Sequence, residues 1–244
     1  SRHLEEAIEC YRLVLQYQGD NYELLNNIAC SFALLIDYEQ ARDYFEQALQ
    51  LITDEEIENH ESGNSEKRPK IARTYANLVI ICIKKGELEK AERYVKKSLE
   101  LDPDFSGGYI NWGILQKSIG RLEEALQSFE KALDLSPEDD TAWSNMLFLL
   151  NYLPGMTVLR LRESHEQWGN RITAKYSPLV EKHSLRGKNP EDPLRIGFVS
   201  GHFRLHPVGH LLAKLFQHRD SQCFAFFCYS QLHKQDVLTE FFKN

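Results

Sequence analysis

Four histidines crowd the C-terminal part of the chain: His202, His206, His210 and His218. The first three are spaced by four, which on one helix would stack their rings along one face and offer nitrogens to a metal. His206-Pro207 argues against that, because proline favours the first turn of a helix. A helix therefore opens at Pro207 and leaves His202 in the preceding loop. No cysteine or carboxylate completes a four-ligand set, so no metal is expected. A second constellation is made of amides. Asn27, Asn77, Asn111 and Asn145 recur at spacings of 50, 34 and 34 residues. A carboxamide both donates and accepts hydrogen bonds. A column of them could hold the backbone of an extended polypeptide with little regard for its sequence, or could simply reflect a residue common at that position. The five cysteines, Cys10, Cys30, Cys82, Cys223 and Cys228, show no metal-type pairing. Their odd number and apolar contexts read as reduced core residues of a cytosolic protein.

The elements that carry the amides form a repeat. Ala7, Ala41, Ala91 and Ala125 each follow an acidic-polar pair, at spacings of 34, 50 and 34. The middle spacing is 34 plus a 16-residue insertion. One copy, Ser106–Asp139, carries Tyr109, Trp112-Gly113, Gly120, Leu122, Ala125, Phe129, Ala132-Leu133, Leu135 and Pro137. These fall on the tetratricopeptide pattern of paired antiparallel helices, with Gln116 where a tyrosine is usual. Copies at Ala72–Phe105 and Tyr22–Glu55 follow it in register. Small residues such as Gly113 and Ala125 let the two helices approach, and Gly120 permits the turn between them. One such hairpin cannot bury its apolar face alone, so the copies must stack. The asparagine is the sixth residue of each first helix.

The edges of the repeat region depart from the pattern. Leu4–Tyr17 reads as a second helix without a first, leaving Leu4, Ile8 and Tyr11 without a partner and implying further repeats upstream. The insertion, Glu55–Lys70, is polar and reads as a solvated loop or an extended helix end, with a docking site as the alternative.

Beyond Asp140–Asn151, the first helix of another copy, the chain breaks at Tyr152-Leu153-Pro154-Gly155. A helix is expected from Val158 to about Tyr176, capped by Thr157, with Leu161, Trp168 and Ile172 facing inward. Glu181–Pro193 reads as a polar linker. The period then changes. Leu194–Val199 reads as a strand, a helix follows Pro207, Cys223–Tyr229 is an apolar strand of the kind buried in parallel sheets, and Asp236 starts another helix. This βαβ order opens a doubly wound domain. Two parallel strands are not expected to be stable alone. The expected fold is thus mainly α, a tetratricopeptide superhelix followed by an incomplete α/β segment. Its parts are repeats over 1–151, a linker helix and polar linker over 152–193, and the start of a catalytic lobe over 194–244.

Four separated stretches resemble one family. Ser144–Pro154 (SNMLFLLNYLP) is similar to the junction that ends the repeats in bacterial relatives of the O-linked N-acetylglucosamine transferases and in SPINDLY proteins. His165-Glu166-Gln167-Trp168-Gly169 resembles their H-x-x-W-G/A motif. Leu194–Val208 (LRIGFVSGHFRLHPV) and Phe226–Ser230 (FFCYS) resemble the first two strands of their catalytic domain. The resemblance implies transfer of a sugar from UDP-N-acetylglucosamine or GDP-fucose to protein serine or threonine, without a metal. It implies that the repeat groove holds the acceptor through the asparagine column. It places His206 toward the donor sugar and diphosphate, where free N–H groups at the helix start also point. His202 stands where the family has an acidic residue. The second lobe, which supplies most nucleotide contacts in the family, has no counterpart here, so the chain as given is expected to be inactive. The alternative is a stand-alone protein-interaction module.

Charge narrows the partners. The net charge is −7, with 27% charged and 42% hydrophobic residues. An acidic balance argues against nucleic-acid or anionic-membrane binding. No apolar run reaches the roughly 20 residues of a membrane span, and the amphipathic, acidic start shows no secretory signal. A cytoplasmic protein is expected, with homodimerisation through exposed apolar chain ends.

Overall fold

The computed structural model describes residues 2–52, 67–179, 192–230 and 236–243. The chain divides into two compact units, Ser1–Leu179 and Val180–Asn244, each taken by itself below.

The first unit is helical. Its helices are α1 (Arg2–Gln18), α2 (Tyr22–Leu34), α3 (Tyr38–Gln50), α4 (Lys67–Lys85), α5 (Leu88–Leu101), α6 (Ser106–Ser118), α7 (Leu122–Leu135), α8 (Asp140–Leu150) and α9 (Val158–Tyr176), followed by a 3-10 turn at Ser177–Leu179. The pairs α2/α3, α4/α5 and α6/α7 are the three hairpins expected from the repeat. Side-chain caps start several helices: Asn21 accepts from Glu23 N and Leu24 N, and Asp139 accepts from Thr141 N and Ala142 N. These bonds satisfy amides that an α-helix leaves free at its start.

Close approach inside the hairpin rests on Gly113. A Cβ there would meet the Phe129 ring at 2.6 Å. Phe129 itself is fully buried, with Ala125 and Ala132 beside it. The turns reuse one conformation. Gly86 and Gly120 have φ of 76° and 81°, and the corresponding position of the first hairpin is Ile36 at φ 64°. A β-branched residue there is strained. Gln116, at the usual tyrosine position, is buried and fully used. With its oxygen facing Trp112, it accepts from Trp112 Nε1 at 2.9 Å and donates to the Glu124 carbonyl and Ser128 Oγ.

The insertion lies outside the described residues except for its end. Lys67–Lys70 belongs to α4, so that helix starts five residues before Ala72 and Asn77 is not its sixth residue. The expected linker likewise falls on undescribed residues from 180 to 191. Helix α9 packs on the last repeat: Trp168 stacks on Trp143 with ring centroids 5.3 Å apart, and Arg171 donates to the Pro137 carbonyl. Of its expected inner face, Leu161 and Trp168 pack on that core half-buried, and no residue of α9 is fully buried.

Two expectations at the chain start are corrected. Ile8 does have a partner: it is 4% exposed, on a helix packed against α2. Cys10 is exposed, because it lies on an outer side of α1, and Cys223 is exposed too, its thiol donating to Asp220 at 3.3 Å. Only Cys82 is a buried core thiol among the five.

The second unit holds β1 (Leu194–Ser200), α10 (Pro207–Gln217), β2 (Phe224–Ser230) and α11 (Val237–Lys243). The strands pair in parallel, from Leu194 opposite Phe224 to Ser200 opposite Ser230. Alternation sends Phe198 and Phe226 to one face, where they meet Phe216 of α10, which also touches Phe242 of α11. The other face carries Val199, Phe227 and Tyr229, which are 79%, 38% and 60% exposed. The apolar strand is therefore buried on one face only among the described residues, because helices cover a single side of the sheet. No helix among the described residues is long and apolar enough to cross a membrane.

Candidate functional site

The first helices α2, α4, α6 and α8 stand side by side. On α4, Arg73, Asn77, Ile80 and Lys84 occur at i, i+4, i+7 and i+11, which puts them along one face. The same register gives Glu23, Asn27, Cys30 and Leu34 on α2, and Gly107, Asn111, Ile114 and Ser118 on α6. On and just past α8 it gives Thr141, Asn145, Phe148 and Tyr152. The four asparagines thus share a face, as their spacing requires.

Their environments differ. Asn27 is exposed, and its carboxamide has no hydrogen bond among the described residues. Asn77 is also exposed and reaches only the Cys30 sulfur, at 3.7 Å. Asn111 is half-buried and donates to the Ala76 carbonyl at 2.8 Å, tying α6 to α4. Asn145 donates to the Thr141 carbonyl at 2.9 Å and accepts from Lys117 Nζ at 3.2 Å. Two amides are open to a ligand, and two also stitch neighbouring repeats together. Such stitching lies across repeat boundaries, so spacing along one chain could not reveal it.

Sequence reasoning on the asparagines passed over their neighbours. Ile80, Ile114 and Phe148 form an apolar row beside the amides, and Lys117 places its ammonium 5.3 Å from the centroid of the Phe148 ring. Burial lowers the pKa of Lys117. Extending the 34-residue register to every face position would have found this row.

In the second unit, His202 and His206 lie in the loop between β1 and α10. Their rings stack with centroids 4.0 Å apart and an interplanar angle of 14°. His206 caps α10, its Nδ1 accepting from Val208 N at 3.2 Å. That bond requires the proton to sit on Nε2, leaving an Nε2–H donor. Desolvation first, then His202 and Arg204, lower the His206 pKa and so favour the neutral ring. Asp236 holds the loop from the other side, accepting from Leu205 N at 2.7 Å while capping α11 through Leu238 N and Thr239 N. His210 is exposed on α10, and His218 ends that helix. Among the described residues, no group of three histidine, cysteine or carboxylate side chains converges on a point that could hold a metal. Gly209 is pinned by sterics: a Cβ there would sit 2.1 Å from the Arg204 carbonyl oxygen.

Tetratricopeptide-repeat family models match residues 23–53, 72–105 and 107–139. A tomato (Solanum lycopersicum) protein described as a probable UDP-N-acetylglucosamine–peptide N-acetylglucosaminyltransferase SPINDLY is 31% identical over 103 residues. That stretch is 42% of this chain and 11% of the tomato protein. Among solved structures, a Thermobaculum terrenum O-GlcNAc transferase mutant superposes with a TM-score of 0.68 at 22% identity, covering 91% of this chain and 39% of that one. A MamA structure gives 0.54 at 18% identity, over 71% of this chain and 92% of the other. At such identities the structures establish shared fold. The chain carries tetratricopeptide repeats, and part of its length is related to SPINDLY proteins.

Proposed function

We propose that the repeats are the acceptor-binding part of a protein O-glycosyltransferase, which moves a sugar from a nucleotide-sugar donor to serine or threonine hydroxyls. The observation that carries this reading is the asparagine column on the shared face of the first helices, with Asn27 and Asn77 open to solvent. A stack of curved hairpins offers that face as an extended concave surface. Amides there can pair with a polypeptide backbone, which suits an enzyme that must accept many sequences. The partial likeness to SPINDLY proteins supports the chemistry assigned to the parent enzyme.

In this reading UDP-N-acetylglucosamine or GDP-fucose is the donor, and His206 faces it. A neutral imidazole with Nδ1 engaged at Val208 N can donate from Nε2 to a diphosphate or sugar oxygen. The 244 residues by themselves are not expected to transfer sugar, because among the described residues the two-stranded unit has helices on one face only and encloses no donor cleft.

The test uses Asn27→Ala/Asn77→Ala, since neither side chain has more than one weak contact. A labelled extended serine/threonine peptide should bind the double variant about tenfold more weakly, the equivalent of one or two lost hydrogen bonds, at an unchanged melting temperature. Unchanged affinity would refute the acceptor-face assignment.

A further inference from the structure

We infer that the polypeptide held on the first-helix face is acidic: Arg73 and Lys84 of α4 and Lys117 of α6 line the asparagine column without a carboxylate partner among the described residues. This rests on the acceptor-face reading above and specifies what that face selects.

Several other cations of the repeats are paired with carboxylates. Lys85 pairs with Glu39 at 2.6 Å, Arg42 with Glu39 at 2.7 Å, Lys96 with Glu92 at 2.7 Å and Lys90 with Glu87 at 3.0 Å. The first of those pairs joins α4 to α3, and the other three lie within a single helix or at its cap. The face itself is different. Among the described residues Arg73 makes no ion pair or hydrogen bond, and its guanidinium carbon lies 5.9 Å from the centroid of the Phe105 ring. Lys84 is exposed in the last turn of α4. Lys117 has an amide oxygen and an aromatic ring as neighbours. Glu23, the acid in register with Arg73, is neutralised by Lys70. A chain of net charge −7 therefore presents unpaired positive charge along the row of amides.

The placement suits an extended ligand. Arg73 lies one helical turn before Asn77 and Lys84 two turns after it, so a backbone resting on the amides has cations on both flanks. Packed helices are about 10 Å apart, and an extended chain advances about 3.3 Å per residue. Moving from α4 to α6 therefore takes about three residues, so acidic side chains recurring at that interval can meet Lys84 or Arg73 and then Lys117. Lys117 is half-buried, its burial already disfavours the charged form, and an arriving carboxylate relieves that penalty.

The experiment compares labelled serine/threonine peptides of one length, with aspartate, asparagine or lysine at every third position, by fluorescence anisotropy on the whole chain. The aspartate peptide should bind about tenfold tighter than the asparagine peptide at low salt, a gap that closes as screening rises. Arg73→Gln/Lys84→Gln, both exposed, should remove most of the preference while lowering the asparagine peptide's affinity little, and Lys117→Met should remove a smaller part of it. Equal binding of the aspartate and asparagine peptides, or a preference for lysine, overturns the inference. If Asn27→Ala/Asn77→Ala then weakens both peptides alike, the acceptor-face reading survives it. If none of the peptides binds, both fall.

Discussion

The hairpin α6/α7 and the β1–α10–β2 unit bury aromatic side chains by different means. In the hairpin, Phe129 fills a notch that Gly113 leaves open and is wholly shielded. In the α/β unit, Phe226 is packed between strand and helix, yet Phe227, next in sequence, remains 38% exposed with the Arg195 guanidinium over its ring. A stacked repeat closes its core with its own second helix and its neighbours. A sheet has two faces, and among the described residues helices cover one. The same residue type thus contributes very different stability in the two regions.

The largest expected effect tests that contrast. Phe129→Ala should cost about 3–5 kcal/mol in denaturant unfolding of the repeats, whereas Phe227→Ala should cost well under about 1 kcal/mol, as a surface change does. Comparable losses at both sites would mean that the bare sheet face is covered in solution.

A smaller effect separates one repeat from its copies. The turn position held by Gly86 and Gly120 is occupied by Ile36 with φ 64°. Ile36→Gly should raise repeat stability by about 1 kcal/mol, and Gly120→Ala should lower it by a similar amount. A melting curve unmoved by either change would show that the turn carries no strain.

The smallest effect belongs to the α/β unit. The folded-state pKa of His206 is depressed, so the unfolded chain binds the proton more readily. Its contribution is therefore present above about pH 6.5, the ordinary histidine value, and is lost as pH falls below it. His202, stacked on it, and Arg204 add repulsion to the protonated form. Protection of the Val208 amide, measured against its intrinsic exchange rate, should fall on acidification in the native protein. In His206→Asn, which keeps an N-cap, that loss of protection should disappear. Protection that stays constant with pH in the native protein would show that the cap does not depend on a neutral ring.

Much of this architecture is written in short-range periodicity. The 34-residue spacing and the small residues Gly113 and Ala125 yield the three hairpins, because hairpin geometry depends on residues close in sequence. Thr157, His206-Pro207 and Asp236 mark helix starts correctly for the same reason. The exposure of Cys10 and Cys223 and the half-open strand β2 were less legible. Apolar context in sequence says that a residue could be buried, and only a covering element decides that it is.

The amides show the division most sharply. Sequence alone determined that Asn27, Asn77, Asn111 and Asn145 share one face, since a repeat in register repeats its directions. Only the tertiary structure decided that Asn111 and Asn145 bond to neighbouring helices while Asn27 and Asn77 stay open. It likewise brought Lys117 onto that face and stacked His202 on His206. Those outcomes depend on the distance between packed elements, which spacing along a single chain does not encode.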